Sequence, residues 1–252
     1  MFFKRRPLHL TLFVTNRCNA RCRFCFYETN RPCNEMDLNE YRALAENLWG
    51  LLWLSFSGGE VFLREDISDI ASVFYERCRP SFVLISTNGT LPERVQEQTE
   101  KVLMSCPTST VVLKVSIDGV GPEHDRLRGI DGAFDRALET IKLLGRLRKR
   151  FSNLQIGVNT VLCSKNINNI EETISFVKTL PEVQVHTLSL VRGRGYGEYG
   201  INWKEYHQKI RNLYHYSPKT CYSFKGAKLK AAQDRLQSRF IEMLLRGERP
   251  PQ

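Results

Sequence analysis

No stretch of this chain approaches the roughly 20 consecutive apolar residues that a membrane-spanning helix needs, which argues against a helical membrane protein. The opening segment, Met1 to Pro7, carries a basic patch with no long apolar run behind it. It lacks the pattern of a secretory leader, so cytoplasmic residence is the expectation. There is no internal repeat and no low-complexity linker. Composition is unremarkable too: 42% hydrophobic and 25% charged residues suit an ordinary globular chain. A chain of 252 residues is long enough to hide about 70–75% of its unfolded surface in one large domain or two small ones.

What the chain does have is cysteine. Eight cysteines in a small secreted protein would suggest disulfides; in a large chain without a leader they point to metal or redox chemistry. Three of them form Cys18-Asn-Ala-Arg-Cys22-Arg-Phe-Cys25, followed by Phe26-Tyr27. Spacings of four and three let three thiolates reach one compact inorganic centre from a single loop. A four-iron cluster held by three thiolates keeps one iron open to a substrate or cofactor. A zinc site would need a further Cys-x-x-Cys or His-x-His pair at zinc spacing, and none is present. The others (Cys33, Cys78, Cys106, Cys163 and Cys221) are scattered and read mostly as small buried hydrophobes.

Strand-like and helix-like patterns alternate. Leu8–Thr15 has period two. Asp37-Leu-Asn-Glu40 forms a capping box ahead of Leu38, Tyr41, Leu44, Ala45 and Leu48 at helical spacing. Trp53–Phe56, Phe82–Ile85, Val111–Ile117, Leu154–Leu162 and Val183–Val191 read as strands. Helices are expected after Asp66, from Pro92, over Ala133–Leu147 and over Ile170–Leu180. Six β units separated by five helices predict an α/β fold with a parallel sheet and right-handed crossovers. The roughly 30-residue unit suits an open, partial (β/α)6 TIM-like barrel, with an ordinary doubly wound sheet as the alternative. The barrel is placed at 1–195 and a basic helical extension at 196–252. Arg192-Gly-Arg-Gly-Tyr-Gly197 reads as a turn, and its glycines predict a mobile lid beside the mouth.

Parallel α/β folds put their chemistry at the carboxyl ends of the strands. The unusual residues fall there: the cysteine loop, Ser57-Gly58-Gly59-Glu60, Ser86-Thr-Asn88-Gly89, Ser116-Ile-Asp118-Gly119, Asn159–Leu162 and Leu190-Val-Arg192-Gly193. Each alone has a plainer reading. Glycines after a strand make turns, Asn88-Gly89 is a turn signal, and Arg128 is a surface charge.

Together these motifs resemble the radical S-adenosylmethionine superfamily. Cys18-x-x-x-Cys22-x-Phe24-Cys25 matches its signature. Ser57–Glu60, Ser86–Gly89, Val115–Gly119 and His124–Gly129 resemble the branch of sulfatase-maturing and peptide-modifying enzymes. The similarity runs from about residue 8 to 195. It implies that Cys18, Cys22 and Cys25 hold three irons of a [4Fe-4S] cluster, with S-adenosylmethionine on the fourth. Gly58, Gly59 and Glu60 would hold the methionyl amino group. Ser116 and Arg128 would meet the carboxylate, and Ser86 and Asn88 the ribose or methionine part. Tyr27 would approach adenine through its backbone, and Val161 and Leu162 would give it apolar contact. The implied reaction is reductive cleavage to a 5′-deoxyadenosyl radical that takes hydrogen from a peptide or small metabolite. A one-electron donor such as a flavodoxin or ferredoxin is the implied partner.

Relatives in this branch often carry a C-terminal domain with further clusters. Here Cys221 alone lies beyond the barrel, so the expectation is a chain cut short before such a domain or a short member with one cluster. Two other roles compete: an iron–sulfur electron carrier without radical catalysis, and a nucleic-acid binder suggested only by charge. The net charge is +10, and residues 219–252 hold eight basic against three acidic side chains. A solvated helix face is the plain reading of that tail.

Overall fold

A computed structural model describes residues 7–48, 50–216 and 227–248. Cys221, Lys219, Lys225, Arg249 and the basic Lys4-Arg5-Arg6 patch lie outside them.

Six strands form one parallel sheet: β1 (His9–Thr15), β2 (Trp53–Gly58), β3 (Phe82–Thr87), β4 (Thr110–Ser116), β5 (Leu154–Leu162) and β6 (Val185–Leu190). Their spatial order is β1-β2-β3-β4-β5-β6. A doubly wound sheet reverses direction at a switch point; this sheet never does. It curls one way as an open barrel, and every strand end faces the same mouth.

The connections carry α1 (Leu38–Glu46), α2 (Ile67–Cys78), α3 (Pro92–Ser105), α4 (Pro122–Arg128), α5 (Ala133–Arg148) and α6 (Ile170–Thr179). α1 starts on the capping box: Asp37 accepts from the Glu40 amide, and Glu40 reaches back to the Asp37 amide. α3 begins at Pro92, where the missing amide hydrogen costs no helix bond. α4 is a helix the sequence pattern did not reveal. Seven residues between Gly121 and Gly129 are too few for an apolar stripe.

Alternation along the strands separates two faces. Leu54, Phe56, Val83, Ile85, Leu113, Val115, Ile156 and Val158 point to the helices. They form one core with Ile67, Ile70 and Phe74 of α2, Val95 and Val102 of α3, and Ile141 and Leu144 of α5. Side chains of the opposite parity, among them Ser57, Ser86, Ser116 and Asn159, face the mouth.

After β6 the chain does not form the expected glycine-rich turn. Arg194–Tyr199 is a short helix, α7, entered through Gly193 at φ +63°. The expected turn is therefore corrected to a helix. α8 (Trp203–Tyr216) and α9 (Ala227–Leu245) follow. Ile201, Tyr206 and Ile210 share a second apolar cluster with Leu162, Ile170 and Ile174. Cys78, Cys106 and Cys163 are buried as expected; Cys33 is exposed. Among the described residues, no helix is long and apolar enough to cross a membrane.

Candidate functional site

A cavity of about 220 Å³ sits at the carboxyl ends of the strands. Cys18, Cys22, Cys25, Gly58, Gly59, Ser86, Asn88, Ser116, Arg128 and Val161 all line it. Residues separated by up to 143 positions in the chain therefore meet at one mouth, brought there by the parallel sheet.

The cysteine loop is tied down by backbone, which explains why its neighbours are small. The Gly59 amide donates to the Thr15 carbonyl and the Glu60 amide to the Arg17 carbonyl, each at 2.8 Å. A Cβ on Gly58 would lie 2.2 Å from the Thr15 oxygen, and one on Gly59 would lie 2.1 Å from the Arg17 oxygen. Only glycine permits this approach. Asn30 holds the Cys18 peptide from both sides, accepting from its amide and donating to its carbonyl at 2.9 Å. Asn19 joins the loop to the segment after β3 through Asn88 and Thr90, each at 2.8 Å. The Arg21 amide donates to the Arg128 carbonyl at 2.9 Å, fixing the loop to the end of α4.

Three predicted residues are not brought to the cavity. Glu60 is turned inward: its carboxylate accepts from the Phe62 amide (3.2 Å), the Thr87 hydroxyl (2.7 Å) and the Asn88 amide (2.7 Å). It braces the β2 and β3 ends against each other and does not face the mouth. Burial raises its pKa despite those donors. The Tyr27 ring stacks on Phe13 at 5.2 Å and its neighbour Phe26 takes the cavity wall; the contact expected of Tyr27 is a backbone one, on which the ring's position does not bear. Leu162 points to the helix layer, because alternation allows only one of Val161 and Leu162 to face the mouth.

Several lining residues were not singled out from sequence. Ser57, Thr87, Asn159 and Arg192 lie within the strand-end segments quoted above, and strand parity marks Ser57 and Asn159. Ser189 donates to Asn159 at 2.7 Å across β5 and β6. Arg192 stands over the Phe26 ring at 4.2 Å, a contact no local pattern reveals.

The electrostatics centre on one buried ion pair. Asp118 meets Arg128 at 2.5 Å, and both are nearly inaccessible. Burial alone would lower the pKa of Arg128, but Asp118 and the Cys22 sulfur hold it above its ordinary value. His124 accepts from the Asp118 amide through Nδ1, and burial presses its pKa down to about 4. Desolvation pushes the Cys18 thiol up to about 11 and raises Cys22 as well. Left alone these thiols stay protonated; a cationic partner is what converts them to thiolates. Among the described residues no three His, Cys, Asp or Glu side chains close on a single ion. The triplet instead lines a cavity, a donor set that fits a body larger than one ion.

The model of the Radical SAM superfamily matches residues 12–177. Fe-coproporphyrin III synthase of Methanosarcina barkeri is 30% identical over 76% of this chain and 49% of its own length. The antilisterial bacteriocin subtilosin biosynthesis protein AlbA of Bacillus subtilis is 32% identical over 55% of this chain and 30% of its own. The crystal structure of SuiB from Streptococcus suis, bound to its precursor peptide SuiA, superposes with a TM-score of 0.64 at 17% identity. That match covers 84% of this chain and 46% of the SuiB chain, and it shows a shared fold. The chain spans about half or less of the length of these curated relatives.

Proposed function

The chain belongs to the radical SAM superfamily, and from that membership we propose that it is a radical enzyme whose cavity holds a [4Fe-4S] cluster and S-adenosylmethionine and whose substrate is a peptide. The observation that carries this reading is the meeting of three cysteines with the glycine, serine and arginine strand ends at one cavity. An electron carrier needs the cysteines alone; it has no use for a polar mouth built from five other strand ends.

When bound, the cluster and S-adenosylmethionine supply one-electron cleavage of a sulfonium and a carbon radical able to remove hydrogen from substrate. The residues of the chain do the rest. Cys18, Cys22 and Cys25 hold three irons. The backbone of Gly58 and Gly59 receives the methionyl ammonium, while Glu60 keeps that backbone in place. Ser116 and Arg128 take the carboxylate. Ser86 and Asn88 would meet the ribose or methionine part, and Val161 would give the adenine an apolar wall. Phe24, Phe26 and Val191 line the same cavity and limit water.

The peptide reading is supported by the name of AlbA, a bacteriocin biosynthesis protein. The name of Fe-coproporphyrin III synthase favours a second reading, a small metabolite. A one-electron donor of the flavodoxin or ferredoxin class serves either. A reducing cytoplasm suits free thiols as ligands. We place the radical unit at 1–195 and read 196–252 as an extension; among its described residues Tyr206 and Ile210 pack with Leu162, Ile170 and Ile174.

The test is anaerobic reconstitution followed by dithionite and S-adenosylmethionine. The expected result is 5′-deoxyadenosine and methionine from the native chain and neither from Cys18→Ala. A fully loaded cluster that releases no 5′-deoxyadenosine would refute the reading.

A further inference from the structure

Arg128 is placed to act on the cluster as well as on the cofactor carboxylate. Its Nη2 pairs with Asp118 Oδ2 at 2.5 Å while its Nη1 donates to the Cys22 sulfur at 3.7 Å. The guanidinium also lies 5.7 Å from the Phe24 ring centre. Asp118 is 0% exposed and Arg128 is 9% exposed, so water screens neither charge. Their backbone is equally constrained. Gly129, at φ +65°, closes α4 against Arg21, where an added Cβ would lie 2.9 Å from the Arg21 carbonyl. Asp118 has one further bond: its Oδ1 accepts from the Val161 amide at 2.7 Å. One carboxylate thus joins the cation beside a cluster ligand to the apolar wall of the cofactor site.

We propose that the Asp118–Arg128 pair sets the reduction potential of the cluster held by Cys18, Cys22 and Cys25, with Asp118 as a positioning residue that aims Arg128 at Cys22 and tempers its charge. This rests on the reading given above. The physical ground is general. Potentials of iron–sulfur centres follow net charge, hydrogen bonds to sulfur and solvent exposure. An electron arriving from the external one-electron donor adds negative charge to the cluster. A cation hydrogen-bonded to a ligand sulfur in a dry site stabilises that reduced state; an anion behind the cation opposes it. The pair therefore holds two opposing influences on one thiolate, and removing either partner shifts the potential in a known direction.

The experiment is an EPR-monitored redox titration of the reconstituted holoprotein without S-adenosylmethionine, after iron and sulfide analysis of each variant. Asp118→Asn keeps the shape and the acceptor for Val161 but leaves Arg128 uncompensated; the potential moves up. Arg128→Met removes the cation and the bond to Cys22; the potential moves down. Opposite signs in the two variants are the expected result. Shifts of one sign, or none in either, overturn the proposal, since a merely structural role moves both alike. If Arg128→Met does not load a cluster, Arg128→Lys replaces it: retained charge without the guanidinium bond gives a smaller downward shift. A native chain that loads no cluster refutes the earlier reading. A loaded cluster with unmoved potentials refutes only this one.

Discussion

Gly59→Ala drives a new side-chain atom into the backbone of the cysteine loop. The new Cβ would lie 2.1 Å from the Arg17 carbonyl oxygen and 2.6 Å from its carbon, where ordinary contact begins near 3.4 Å. Both obstacles are backbone atoms, so no rotamer change relieves them. The Arg17 carbonyl must retreat by more than an ångström, and it is the acceptor for the Glu60 amide at 2.8 Å. Cys18 is the next residue, so the first thiolate moves with it. Overpacking of this kind costs about 1–3 kcal/mol. For a chain of this size that is a fall in Tm of roughly 2–12 °C. Iron content after reconstitution drops with it, because a misplaced Cys18 leaves two thiolates. Gly197→Ala is the control: nothing lies within 4 Å of its added Cβ, and the residue is helical. There alanine gains about 0.5–1 kcal/mol from helix preference. Thermal melting and iron analysis of both variants decide the matter. A Gly59→Ala protein with native Tm and native iron would refute the account of the glycine pair.

Ser116→Ala removes a hydroxyl assigned to the cofactor carboxylate. A hydrogen bond to a charged group contributes about 1.5–3 kcal/mol, so Kd for S-adenosylmethionine rises roughly 10–100-fold while iron content stays native. Calorimetry checks this, and an unchanged Kd contradicts the assignment. Burial depresses the pKa of His124 to about 4 and of His186 to about 3, both from 6.5. The unfolded chain binds these protons first, so their stability contribution is present above pH 6.5 and is lost as pH falls towards 4. At pH 5 the loss is about 2 kcal/mol for each ring. Urea unfolding of the apoprotein at pH 7 and pH 5 reads it, and equal midpoints would argue against buried neutral histidines.

Much of this architecture was legible in the sequence, and the reasons are local. Period-two strands, a capping box at Asp37 and a proline at the start of α3 act over a few residues. The strand-end rule then gathers distant motifs at one mouth without any knowledge of contacts. What escaped depends on direction or on distance. Glu60 looked like a ligand for an ammonium group because an acidic residue followed two glycines; its inward turn depends on donors from β3, 27 and 28 positions away. Val161 and Leu162 are adjacent and both apolar, and only the sheet decides which one faces the cavity. Taken alone, Arg128 read as surface charge because α4 is too short to announce itself; only the family resemblance placed it at the cofactor carboxylate, and it does line the cavity. The pairing with Asp118 that buries it joins residues of the same crossover through a turn no periodicity describes. Arg194–Tyr199 has glycines enough for a loop, yet its backbone closes a helix whose Tyr199 packs with Phe24, Cys163 and Val191.

The central claim is that three thiolates leave one iron for the cofactor. Electron–nuclear double resonance on the reduced cluster, with S-adenosylmethionine labelled at its amino nitrogen and carboxylate, measures this directly. Hyperfine coupling from both labels in the native chain is the predicted result. A reduced four-iron cluster whose spectrum shows no coupling from either label would contradict it.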